Sequence, residues 1–143
     1  MNASQHREIT GAILIDTRGR FLLQHRDDVA GILHPGKVGL FGGHREGDET
    51  FLECVVREIH EEISYFVPAE RVEHLASLAG EDVDAQGGSI RAEFFVVRGI
   101  PVEDLIVTEG SLLVAQPVEI KEMDHRLTPS ARFVMKAFGV PGF

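Results

Sequence analysis

The chain opens with two short apolar, β-branched runs, Ile9 to Asp16 and Phe21 to His25, separated by Thr17-Arg18-Gly19-Arg20. This pattern predicts two strands joined as a hairpin. Asp27 to Lys37 has no period and contains the breaker His34-Pro35-Gly36, so it reads as irregular. Val38 to Phe41 is a brief apolar run that ends in Gly42-Gly43. The period then changes. Leu52, Val56, Ile59 and Ile63 recur at spacings of 4, 3 and 4, which predicts a helix over Thr50 to Ser64, closed before Pro68. Val72 to Ala79 and Ser89 to Val97 read as strands on either side of the polar segment Gly80 to Gly88. Leu105 to Val107 and Leu112 to Ala115 read as shorter strands. Thr128-Pro129-Ser130 opens a last helix reaching Phe138, with Pro129 suited to a first turn. This order is neither regular βαβ nor all-β. It implies an α+β fold, a mixed β-sheet with two principal covering helices in layered αβα form.

The polar side of the middle helix carries the chemistry. At about 100° per residue, Glu58, Glu61 and Glu62 lie at roughly 0°, −60° and +40°, with the apolar stripe centred about 120° away. Like charges at these spacings repel and cost helix stability. A solvated acidic face is one account of them. The other is a hard divalent cation held by oxygen ligands, with Mg²⁺ the natural occupant.

Composition narrows the setting. The 143 residues fit one domain, 1–143, with 1–7 and 139–143 expected to be peripheral. At 43% hydrophobic the chain can bury a core. With 14 Lys+Arg against 23 Asp+Glu, the net charge of −9 argues against nucleic-acid polymers as partners. Cys54 is the single cysteine, so a disulfide framework is excluded; a packed small hydrophobe is its expected role. No apolar run is long enough for a membrane span and the N-terminus lacks a signal pattern, which points to the cytoplasm.

The spacing around the acids is specific. Gly43, five residues, Glu49, seven residues and Arg57-Glu58-Ile59-His60-Glu61-Glu62 resemble the Nudix hydrolase signature G-x5-E-x7-R-E-U-x-E-E-x-G-U, where U is bulky and apolar. Chance agreement on those positions is about one in ten thousand. Ser64 stands where the signature has its second glycine, and Tyr65 follows it. The lead-in Pro35 to His44 also resembles the family, as does Glu109-Gly110 before a late strand. The likeness is to small MutT-like members.

That resemblance implies metal-dependent hydrolysis of a diphosphate linkage in a nucleoside diphosphate derivative, NDP-X to NMP and P-X. A nucleoside triphosphate is one such substrate. The cofactor implied is Mg²⁺ or Mn²⁺. Glu58 and Glu62, one turn apart, form the best metal pair. Glu61 ligates a second ion or acts as base. The Gly42 carbonyl is a further ligand, and Glu109 is the remote ligand or base ahead of Glu93 and Glu81. Arg57 either holds the glutamates or pairs with Glu53 on the helix; Glu49 belongs with it as scaffold. Gly43 and His44 are candidate phosphate contacts. Phe94 and Phe95 are expected in the core. Substrate choice is assigned to Asp27–Lys37, Gly80–Gly88 and Met123–Pro129. Exposed strand edges allow a homodimer. A Nudix-fold module that senses a nucleotide without cleaving it is the alternative, and retention of the glutamates weighs against it.

Overall fold

The computed structural model describes residues 5–82, 84 and 87–143. The strands are β1 (His6–Asp16), β2 (Phe21–His25), β3 (Val38–Gly39), β4 (Phe41–His44), β5 (Val72–Glu81), β6 (Ser89–Ile100) and β7 (Ser111–Ala115). The helices are α1 (Phe51–Ile63) and α2 (Pro129–Phe138), with short 3₁₀ turns between elements. One mixed sheet runs β3-β2-β1-β6-β5, with β4 beside β1 and β7 beside β2. β1 and β6 are parallel, from His6↔Ser89 through Leu14↔Val97; β1–β2, β1–β4 and β5–β6 are antiparallel.

The pleat separates two cores. On one face, Ile13, Ile15, Phe94 and Val96 pack with Ala131, Val134 and Met135 of α2. On the other, Ala12, Leu14, Phe95 and Val97 pack with Val55, Ile59 and Ile63 of α1. Phe94 and Phe95 thus belong to the core on opposite sides, as their alternation predicts. The layers are helix, sheet, helix. No helix among the described residues is long and apolar enough to cross a membrane.

Several expectations are corrected. Residues 6 and 7 are not peripheral, because parallel pairing with β6 extends β1 and Arg7 forks onto Asp82 at 2.6 and 2.8 Å. Val140 is buried against the α2 side and Phe143 packs on the same cluster. The remainder of the N-terminal tail lies outside the described residues. Leu105 to Val107 forms no strand. The buried residues of α1 are Cys54, Val55, Ile59, Glu62 and Ile63, whereas Leu52 and Val56 are half-buried. The helix is therefore rotated relative to the predicted stripe.

Candidate active site

That rotation decides the fate of each glutamate. Glu62 lies about 20° from Val55 around the helix, and Glu61 about 120° from it. Glu62 is accordingly 4% exposed. Glu58 is half-buried at the edge of the packed face, and Glu61 points outward with its side chain 56% exposed. The predicted trio is thus split by depth.

β4 and α1 meet at the two glycines. A Cβ on Gly42 would collide with the Thr10 carbonyl, and a Cβ on Gly43 would collide with the Glu58 carboxyl. Only glycine lets this strand lie against β1 and the acidic helix together. The Gly42 N–H donates to Glu62 Oε1 at 2.8 Å.

Arg57 organises the neighbouring acids. Its Nε and Nη2 donate to Glu49 at 3.0 and 2.7 Å, Nη1 donates to Glu58 at 3.0 Å and to Glu61 at 3.2 Å, and Nη2 also reaches the His44 carbonyl at 3.0 Å. The alternative partner, Glu53, is engaged elsewhere. It closes a capping box with Thr50, accepting from Thr50 N at 2.7 Å while its own N–H donates to Thr50 Oγ1 at 3.0 Å. Arg57 is therefore a bridge from loop to helix rather than a helix-surface pair. Its hydrogen bond to Glu49 holds that carboxyl down at about 2, against the cost of partial burial.

The reverse holds deeper in. Burial above all, then contact with Glu109 and the nearby charge of Glu58, pushes Glu62 up to about 9, despite the opposing Gly42 amide. Burial also raises Glu58, with Arg57 working against it and Glu61 and Glu109 adding to it. A carboxyl cluster whose charged form is this disfavoured is short of positive charge. Its oxygen donors are carboxylates, the chemistry that suits Mg²⁺ or Mn²⁺. Among the described residues, no three acidic, histidine or cysteine side chains already converge as a finished ligand set. Glu62 is engaged by the Gly42 amide and Glu58 by Arg57.

A cavity of about 510 Å³ opens over these groups. Glu58, Glu62, Glu109, Gly42, Gly43 and His44 line it; Arg57, Glu49 and Glu61 stand outside the lining. Glu93 is turned away and bonds His74 at 2.7 Å and Ser77 at 2.5 Å, so of the three remote acids considered only Glu109 reaches the cavity. The far end draws on the segments to which substrate choice was assigned, Val29, Ile32 and Leu33 from the irregular loop, Asp84, and Thr128, and on Ser130 just beyond the last of them. Sequence reasoning missed Gln24, which is buried on β2, lines the cavity and donates to the Glu109 carbonyl at 3.1 Å. A polar residue inside an otherwise apolar strand, Phe21-Leu22-Leu23, was the available signal. Cys54 is fully buried, and burial pushes its thiol up to about 11, in keeping with a packing role.

Comparison with known proteins agrees with this architecture. The chain resembles the MutT protein of Methanosarcina mazei, with 22% identity, a TM-score of 0.76 and 96% of each chain covered. It also resembles the MutT NUDIX hydrolase of Burkholderia pseudomallei, with 24% identity, a TM-score of 0.74, and 94% of this chain and 98% of that one covered. A third similar structure is the Francisella tularensis bifunctional NMN adenylyltransferase/ADP ribose pyrophosphatase complexed with AMP and a Mn ion, with 15% identity and a TM-score of 0.73. There the match covers 95% of this chain and 42% of the other. No curated protein matches by sequence. The family model described as NUDIX domain matches residues 5–137. With the glycine pair, the Arg57 bridge and the glutamate helix held in this fold, the chain belongs to the NUDIX domain family.

Proposed function

We propose that this chain, as a single domain acting in the cytoplasm, hydrolyses the diphosphate linkage of a small nucleotide, NDP-X to NMP and P-X. The observation that carries this reading is the meeting of Glu58, Glu62 and Glu109 in one cavity beneath Gly42-Gly43. Glu58 and Glu62 would hold Mg²⁺ or Mn²⁺, with the Gly42 carbonyl and Glu109 as further ligands and Glu61 at the rim. Bound divalent ions neutralise phosphate charge and lower the pKa of an attacking water. The Mn ion and AMP in the Francisella protein support the choice of ion and the nucleotide class.

The chain's own residues do the positioning. Arg57, itself held by Glu49, fixes the Glu58 carboxylate that faces the cavity, and the Gly42 amide holds Glu62. Gly43 and His44 border the floor on which a phosphate would lie. At the far end Val29, Ile32 and Leu33 give a nucleobase an apolar surface to lie against, beside a polar cluster in which the Ser130 hydroxyl donates to Asp84 at 2.5 Å.

The test is incubation with nucleoside triphosphates, dinucleotides and nucleotide sugars in Mg²⁺, with product identification. One of these classes is turned over, and Glu62→Gln lowers its kcat by about a hundredfold or more while the fold is retained by circular dichroism. Equal activity of Glu62→Gln, or no turnover across the panel, overturns the reading.

A further inference from the structure

An α-helix leaves its last four carbonyls without partners inside the helix. In α1 these belong to His60, Glu61, Glu62 and Ile63. The His60 carbonyl accepts from Ser64 N–H at 3.0 Å. The other three are satisfied by one distant segment. Ile106 N–H donates to the Ile63 carbonyl at 3.2 Å, and Thr108 N–H donates to the Glu62 carbonyl at 2.9 Å. The Thr108 hydroxyl donates to the Glu61 carbonyl at 2.9 Å. Leu105 and Val107 meanwhile pack on the α1-side core.

The same segment is fixed at its other end. Gln24 Nε2 holds the Glu109 carbonyl, and Gly110, at φ 64°, lies so close to the His25 carbonyl that a Cβ would collide with it. Glu109 therefore sits between two fixed points, with its carboxyl against that of Glu62.

We propose that Thr108 is a positioning residue for Glu109: by bridging two carbonyls at the end of α1, it locks the remote acid in register with the helix that carries Glu58 and Glu62. This rests on the reading of Glu109 as part of the metal and phosphate site. A single residue uses its amide and its hydroxyl on successive carbonyls of α1 and is joined directly to Glu109. Loss of the hydroxyl leaves the backbone bonds but removes the second point of attachment.

The test compares full-length Thr108→Val, Thr108→Ser and Glu109→Gln. The readouts are Mn²⁺ affinity by calorimetry without nucleotide, amide hydrogen exchange across residues 106 to 110, and kcat. Thr108→Val keeps the side-chain shape and loses the donor. It weakens Mn²⁺ binding by about tenfold and lowers kcat by a similar factor. Exchange in the segment speeds up, nucleotide KM is unchanged, and Thr108→Ser restores all three altered readouts. Wild-type Mn²⁺ affinity in Thr108→Val, with binding lost in Glu109→Gln, overturns the proposal alone. Wild-type affinity in Glu109→Gln overturns the underlying reading of Glu109 and the proposal with it. If Thr108→Val does not fold, Thr108→Ala removes the same hydroxyl from a smaller side chain, and unaltered Mn²⁺ affinity and exchange there overturn the proposal.

Discussion

The two helices invite comparison because they are built alike. Each starts at a threonine cap, Thr50 accepting from Glu53 N–H and Thr128 from Ala131 N–H. Each lays an apolar stripe on one face of the same sheet, and each ends on a residue in the left-handed conformation. They differ in what they tolerate. α2 buries Ser130, Ala131, Val134 and Met135 and ends on Gly139 at φ 84°, where a left-handed backbone is cheap. α1 buries a carboxylic acid, gathers like charges and ends on Ser64 at φ 58°. The helix that departs from the rules is the one that carries Glu58 and Glu62 to the candidate site, and its departures are stabilised by its own Arg57 and, from outside, by the Gly42 amide and the Thr108 segment. Local rules broken together in one place mark function, while the obedient helix marks scaffold.

Separating function from scaffold gives the largest expected effect. Met135→Ala on α2 costs about 3 kcal/mol of stability in denaturant unfolding, with kcat per folded molecule unchanged. Arg57→Met on α1 does the opposite: kcat falls between about tenfold and a hundredfold, because Glu49, Glu58 and Glu61 lose their common partner. A Met135→Ala variant with selectively reduced kcat would collapse the distinction.

The helix ends give a smaller and mirrored pair. Ser64→Gly relieves a left-handed non-glycine residue and raises stability by about 1 kcal/mol, and Gly139→Ala lowers it by about the same amount. Thermal unfolding of both variants reads this directly; a destabilised Ser64→Gly would mean that the serine side chain stabilises the turn in its own right.

A last contrast is in how the effect varies with pH. Glu49 titrates at about 2 when folded and at about 4.3 when unfolded. A carboxyl with a depressed folded pKa contributes stability that is present above the unfolded value and is lost as pH falls through the folded one. The stability gap between wild type and Glu49→Gln is therefore constant at neutral pH and closes between about 4 and about 2. The gap for Met135→Ala, which involves no titrating group, stays open over the same range. Urea titrations at stepped pH distinguish the two.

Much of this was legible in the sequence. The β1–β2 hairpin and α1 follow from the apolar pattern, the breaks from Pro35-Gly36 and Pro68, α2 from its Thr128-Pro129 start, and the spacing from Gly43 to Glu62 identified the acidic helix. Leu105 to Val107 was misread because its composition suits a strand, yet the N–H groups of Ile106 and Thr108 go to carbonyls of α1. Only long-range pairing reveals that, and one sequence carries no trace of it. The phase of α1 was misjudged for a related reason. Leu52 and Val56 fit the helical period as well as Val55 does, and it is the sheet, through Phe41 and Phe95, that selects which stripe faces inward. Ser64, at the signature's glycine position, takes the left-handed conformation at φ 58° that glycine adopts more cheaply, and its N–H closes on the His60 carbonyl.

The central place of β1 sets a timetable for folding. β1 pairs with β2 and β4 from nearby sequence, but its long parallel partner is β6, with His6 opposite Ser89. During synthesis at about 5–20 residues per second, the first strand waits on the order of 5 to 20 s before that partner exists. Throughout that interval the edge destined for β6 is open to any other extended chain. Chaperone dependence of nascent chains ending before β6, lost once β6 has left the ribosome, is the outcome expected from placing this strand at the centre of the sheet.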